Sequence, residues 1–135
     1  MSQSRVFPAE GVPFVDVEWG RTKVLAGGKP GGGGQACQVV EFKVTEFLPG
    51  SSHRLHVHAT QVEILYVLSG RGVHEDQEGR RVDFGPGDVV FIPAGCRHAN
   101  HNPHGEPLRV LVVKVPPSPD EAQHPRELPR SCSRP

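Results

Sequence analysis

The sequence has no excess of charge of either sign: its 135 residues carry 15 Lys plus Arg and 15 Asp plus Glu. Without a basic excess it offers no electrostatic footprint for nucleic acid or for an anionic membrane surface, so neither is expected as a partner. It has no apolar run of signal-peptide or membrane-spanning length and opens Met1-Ser2-Gln3-Ser4-Arg5, which makes the cytoplasm the expected location. Cysteine is scarce as well. Cys37, Cys96 and Cys132 are odd in number and far apart, which argues against a disulfide framework and fits reduced thiols. No helix-length amphipathic run appears, and nothing resembles a DNA-binding helix-turn-helix. Small-molecule chemistry and protein contacts remain.

What the chain does have is 16 glycines and 14 prolines, residues that disfavour long helices and suit short strands joined by tight turns. The length is that of one domain, enough to bury roughly two-thirds of the unfolded surface. An all-β domain is expected, its core a barrel or sandwich over residues 36–115. Residues 1–35 read as an N-terminal arm and a Gly-rich hairpin or lid packed on that barrel. Gly27 to Gly34 lacks the Gly-Lys-Ser/Thr ending of a phosphate loop, and no helix pattern follows it. Residues 116–135 hold six prolines and no apolar period, so an extended or disordered tail is expected.

Within the barrel, Ala36 to Leu48 alternates, with Val40, Phe42, Val44 and Leu48 on one face and Glu41, Lys43 and Thr45 on the other. Arg54 to His58, Glu63 to Leu68 and Val89 to Ile92 read as short strands. Gly72 to Glu75 and Arg80 to Phe84 form a hairpin about Asp76-Gln77-Glu78-Gly79, and Leu108 to Val115 is the last strand.

The chemistry lies between Gly50 and Asn102. Residues two apart on a strand face the same side, so His56 and His58 point together. Glu63 opens the next strand, and His98 follows a turn built by Pro93 and Gly95. Three imidazoles and a carboxylate suit a divalent ion such as Fe(II), Mn(II), Ni(II), Co(II) or Zn(II), and four protein ligands leave about two octahedral positions open.

These residues carry a resemblance. Gly50-x5-His56-x-His58-x4-Glu63-x6-Gly70 resembles the first motif of the small single-domain cupins, and Gly87-x5-Pro93-x-Gly95-x2-His98-x3-Asn102 resembles the second. Both are complete, and sixteen residues separate them. The resemblance implies a cupin double-stranded β-helix, a jelly-roll barrel that is often dimeric. It implies a metal held by His56, His58, Glu63 and His98, with Asn102 stabilising its loop. It also implies a metalloenzyme acting on a small organic substrate, Fe(II)-dependent dioxygenation being its most frequent chemistry. A redox-neutral cyclase, isomerase or lyase of secondary metabolism and a non-catalytic ligand-binding cupin are the alternatives. No catalytic residue beyond the metal centre is singled out.

Four other histidines are expected to be bystanders. His53 has odd parity relative to the ligand pair and sits in a turn, His74 belongs to a surface hairpin, and His101 and His104 lie in a polar loop. Cys96 is expected to be small and buried, and Tyr66 to pack outside the barrel. Leu65, Val67, Phe91 and Phe42 are the expected pocket wall, which would favour an aromatic or largely apolar substrate. A homodimer is expected, because the sheet edges of such barrels need covering.

Overall fold

In a computed structural model, residues 7–27 and 40–117 are described. The expected tail and most of the Gly-rich segment lie outside them. A 3-10 turn at Ala9–Gly11 leads into ten strands: β1 (Val15–Val17), β2 (Gly20–Gly27), β3 (Glu41–Phe47), β4 (Ser52–His56), β5 (Val62–Ser69), β6 (Gly72–Asp76), β7 (Arg81–Phe84), β8 (Val89–Ile92), β9 (His98–His101) and β10 (Leu108–Val115). They form a six-stranded sheet, β1-β2-β3-β10-β5-β8, and a four-stranded sheet, β4-β9-β6-β7, antiparallel throughout. This is the all-β architecture expected from the turn spacing, in the jelly-roll form that the resemblance implies. Among the described residues no helix is long and apolar enough to cross a membrane.

β10 lies between β3 and β5 and organises the large sheet. Leu108, Val110 and Val112 point inward from it, with partners Phe47, Thr45 and Lys43 on one side. Val67 is opposite Val110, and Leu65 opposite Val112, on the other side. Leu65, Val67, Leu108 and Val110 are at most 1% exposed and form the centre of the core, with Phe47, Phe84, Val90 and Ile92 around them. Burying side chains of this size contributes about 1.5–3 kcal/mol each.

The alternation of β3 is present, but its polar row faces inward. Glu41, Lys43 and Thr45 share the inner face with Phe47, while Leu48 lies beyond the strand end and is exposed. The row is tolerable inside because its charges are paired: Lys43 Nζ lies 3.0 Å from Glu41 Oε1 and Lys114 Nζ 3.3 Å from the same oxygen. The barrel interior therefore has an apolar end and a charged end.

The turn glycines fix where strands start and stop. At Gly70 φ is +83°, and a Cβ there would stand 2.3 Å from the Pro107 carbonyl oxygen, so only glycine lets β5 end against the start of β10. Asn102 closes the other end of the site loop. Fully buried, it donates from Nδ2 to the carbonyls of Phe47 (3.2 Å) and Glu106 (2.7 Å) and accepts from the His104 N–H, the loop-stabilising part expected of it.

Candidate metal centre

His56 is the last residue of β4, His58 lies just past it, and His98 opens β9, the strand paired with β4. The His58 carbonyl accepts a 2.9 Å bond from the N–H of Gly95, which ties that segment to the turn preceding β9. One ring nitrogen from each of His56, His58 and His98 falls in a cluster whose atoms all lie within 4.8 Å of one another, so the three could hold a metal ion.

Their tautomers are set from behind. His56 Nδ1 is 2.6 Å from the Arg54 carbonyl, and His98 Nδ1 is 3.0 Å from that of Cys96. A carbonyl only accepts, so each Nδ1 carries the proton and each Nε2 keeps its lone pair. All three Nε2 atoms are buried without a hydrogen-bond partner. Glu63 Oε2 is only 3.1 Å from His58 Nε2, yet the direction does not make a hydrogen bond. Three buried, unpartnered ring nitrogens in one small space cost stability unless something satisfies them. Metal–nitrogen and metal–oxygen bonds of about 2.0–2.2 Å at right angles put neighbouring donors about 3 Å apart, which is the spacing of Glu63 and His58. The three imidazoles fit a divalent ion, with Glu63 outside their group of mutually close donors but beside His58.

Electrostatics keep the donors in their binding forms. Burial lowers the His98 imidazole to about 4, and it lowers His56 as well. Burial alone would raise the Glu63 carboxyl, but the nearby His58 imidazole and the Lys114 ammonium outweigh it and bring Glu63 to about 2. At neutral pH His56 and His98 are neutral imidazoles beside the ionised carboxylate of Glu63.

Two expected bystanders lie against the site. The pairing of β4 with β9 runs His53 opposite Asn100 and His56 opposite His98, three steps against two. That β-bulge cancels the odd parity, so His53 faces the same side as His56. Its ring stacks on His56 at 3.9 Å and on Trp19 at 3.8 Å, and burial lowers it to about 3. His74 is half-buried, its Nδ1 2.9 Å from Asn100 Oδ1 and its ring stacked 6.1 Å from His98. His101 is not a loop residue either: it ends β9, between Ser52 Oγ (2.7 Å) and Glu75 Oε1 (2.8 Å). His104 is exposed, as expected.

A cavity of about 470 Å³ opens from the surface to His98, lined by Val82, Phe84, Val90, Phe91 and Ile92 with His74, Arg80 and Arg97. Of the expected wall only Phe91 lines it. Leu65 and Val67 are packed core, and Phe42 sits on the outer face of β3. Tyr66 is exposed, as expected, and Cys96 is buried. Cys96 is also disulfide-bonded, which corrects the expectation of a reduced thiol there.

The Cupin domain family model matches residues 43–114, which contain both motifs. An oxalate-binding protein from Thermotoga maritima is 42% identical over 67 residues, 50% of this chain and 54% of that protein. The chain thus spans about half the length of curated relatives it matches. Among solved structures, a predicted oxalate decarboxylase from Thermotoga maritima superposes with a TM-score of 0.69 at 23% identity, covering 83% of this chain and 99% of the other. A cupin 2 conserved barrel domain protein from Salinispora arenicola gives 0.62 at 25% identity, covering 85% and 89%. With its motifs, its barrel and a family match over more than half its length, the chain belongs to the cupin family.

Proposed function

We propose that this cupin is a metal-dependent enzyme acting on a small organic substrate, with one divalent transition metal held by His56, His58 and His98 and by Glu63 as fourth ligand. The observation that carries the reading is the set of three buried, unpartnered Nε2 atoms beside a cavity that reaches His98. Fe(II) is the favoured ion, with Zn, Ni, Mn and Co as alternatives from the same donor chemistry. Fe(II) would bring dioxygen chemistry, the non-haem dioxygenase reading, whereas a redox-inactive ion would polarise a carbonyl for a lyase, isomerase or cyclase. The chain's own part is common to both. Val82, Phe84, Val90 and Ile92 keep water from the bound substrate, and Arg80 and Arg97 offer guanidinium groups to an acid function. The names of the two Thermotoga relatives support a small carboxylic acid as the substrate.

Oxygen uptake by iron-loaded protein, measured with catechols, thiols, diketones and small carboxylic acids, tests the oxidative reading. Uptake with none of them in fully loaded protein would set it aside. A second reading, ligand binding without turnover, is supported by the oxalate-binding name. Calorimetric binding of oxalate with no product formed would favour it.

Homodimerisation belongs to the same proposal. β8 is an edge strand whose Val89 and Phe91 are both 60% exposed beside Tyr66, an apolar outer face that a second copy of the chain would cover. Sedimentation at micromolar concentration checks it.

A further inference from the structure

The charged end of the barrel lies directly behind Glu63. Lys114 on β10 is the register partner of Glu41 on β3 and of Glu63 on β5, so the three form one cross-strand row on the inner face. Lys43, two residues along from Glu41, completes an alternation of sign. Its Nζ is 3.0 Å from Glu41 Oε1, Lys114 Nζ is 3.3 Å from that same oxygen, and Lys114 Nζ is 3.8 Å from Glu63 Oε2. The side chains are 16%, 24%, 15% and 9% exposed in the order Lys43, Glu41, Lys114, Glu63. This is a part-buried ionic row, and none of the cupin motif residues except Glu63 takes part in it.

We propose that Lys114 is a positioning residue for the metal centre: it holds the Glu63 carboxylate with Oε2 beside His58 Nε2, where a shared ion would sit. The inference rests on the metal-site reading above. Among the described residues the Glu63 carboxylate has two ion-pair contacts, with His58 at 3.1 Å and with Lys114 at 3.8 Å. A glutamate left with one neighbour would have three rotatable bonds free to turn Oε2 away. An isolated ammonium so close would oppose a dication by charge, but Glu41 on its far side offsets that charge. The row of two lysines and two glutamates is neutral, so placement of the oxygen outweighs repulsion. Outer-shell partners that orient ligands are typically worth about 10–100-fold in metal affinity.

The test is made on the full chain, with Co(II) as the probe and two readouts, affinity by chelator competition and the visible absorption of the bound ion. Wild type is measured first. Failure to bind Co(II) there removes the metal-site reading and this inference with it. If wild type binds, Lys114→Met is expected to lose about 10–100-fold in affinity and to shift the Co(II) spectrum toward that of Glu63→Gln. Lys114→Arg is expected to restore most of both. Glu63→Gln is expected to cost less in the Lys114→Met background than alone. Should Lys114→Met not fold, the Glu41→Gln/Lys114→Met pair removes one charge of each sign and is expected to show the same loss. Unchanged or tighter binding with an unchanged spectrum would overturn the proposal. So would an equal cost of Glu63→Gln in both backgrounds.

Discussion

The two ends of β10 are built from opposite chemistry on one inward-facing row. Leu108, Val110 and Val112 are at most 4% exposed and packed among Phe47, Val67 and Leu65, whereas Lys114 on the same row sits between two carboxylates. The apolar end is held by volume and tolerates no cavity. The charged end, with the histidines of β4 and β9 beside it, is held by direction and contains donors that the protein itself leaves unsatisfied. Stability and ligand binding are therefore expected to separate along this strand.

The largest effect should come from the metal donors. His58→Ala is expected to lower metal affinity by more than the about 100-fold that marks the upper range for outer-shell partners, with little loss in the melting temperature of the metal-free protein. Chelator competition and a thermal melt check both halves. Leu108→Ala should do the reverse. Removing that fully buried side chain is expected to cost about 2–5 kcal/mol in chemical denaturation, while metal stoichiometry in the remaining folded protein is unchanged.

Asn102→Ala is expected to cost less than the core truncation, about 1–3 kcal/mol, because the Phe47 and Glu106 carbonyls and the His104 N–H lose their partner. Equilibrium unfolding in urea reads it.

The pH dependence of metal-free protein is the mildest probe. His98 and His53 stand at about 4 and about 3 in the folded chain against 6.5 for a free imidazole. Between those values the unfolded chain binds more protons, so stability falls as pH falls from 6.5 toward 3. Glu63, at about 2 against 4.5, contributes stability above pH 4.5 that is lost as pH falls toward 2. Both groups act in the same direction, and a bound metal, which keeps His98 unprotonated in the folded chain, should carry the His98 part to lower pH. Thermal melts from pH 7 to pH 4, with and without Co(II), would show the difference.

The barrel was legible in the sequence because turn glycines and prolines divide it into strand-length pieces. The histidine cluster was legible because His56-x-His58 and His98 carry motif spacing that strand geometry explains. Two features were harder to read, for different reasons. His53 was placed on the wrong side because a two-residue period assumes an uninterrupted ladder, and the bulge in β4 adds one residue. Nothing local announces that bulge. The inward face of β3 is not the apolar one: Phe42, an expected wall residue, faces outward, whereas Glu41 points inward as partner of both Lys43 and Lys114. Here a signal did exist: Leu108, Val110, Val112 and Lys114 share one parity, so a lysine at the end of an inward row already called for a buried carboxylate. His74 and His101 needed long-range contacts, to Asn100 and to Ser52 with Glu75, that no single strand reveals.

The central claim is that the orphaned imidazole nitrogens of His56, His58 and His98 are metal donors. Elemental analysis of protein purified without added metal, run beside His58→Ala, tests it most directly. About one divalent transition metal per chain is expected in wild type, with near-complete loss in the variant. A folded wild type that holds no metal and takes none up, or a variant that retains its full complement, would contradict it.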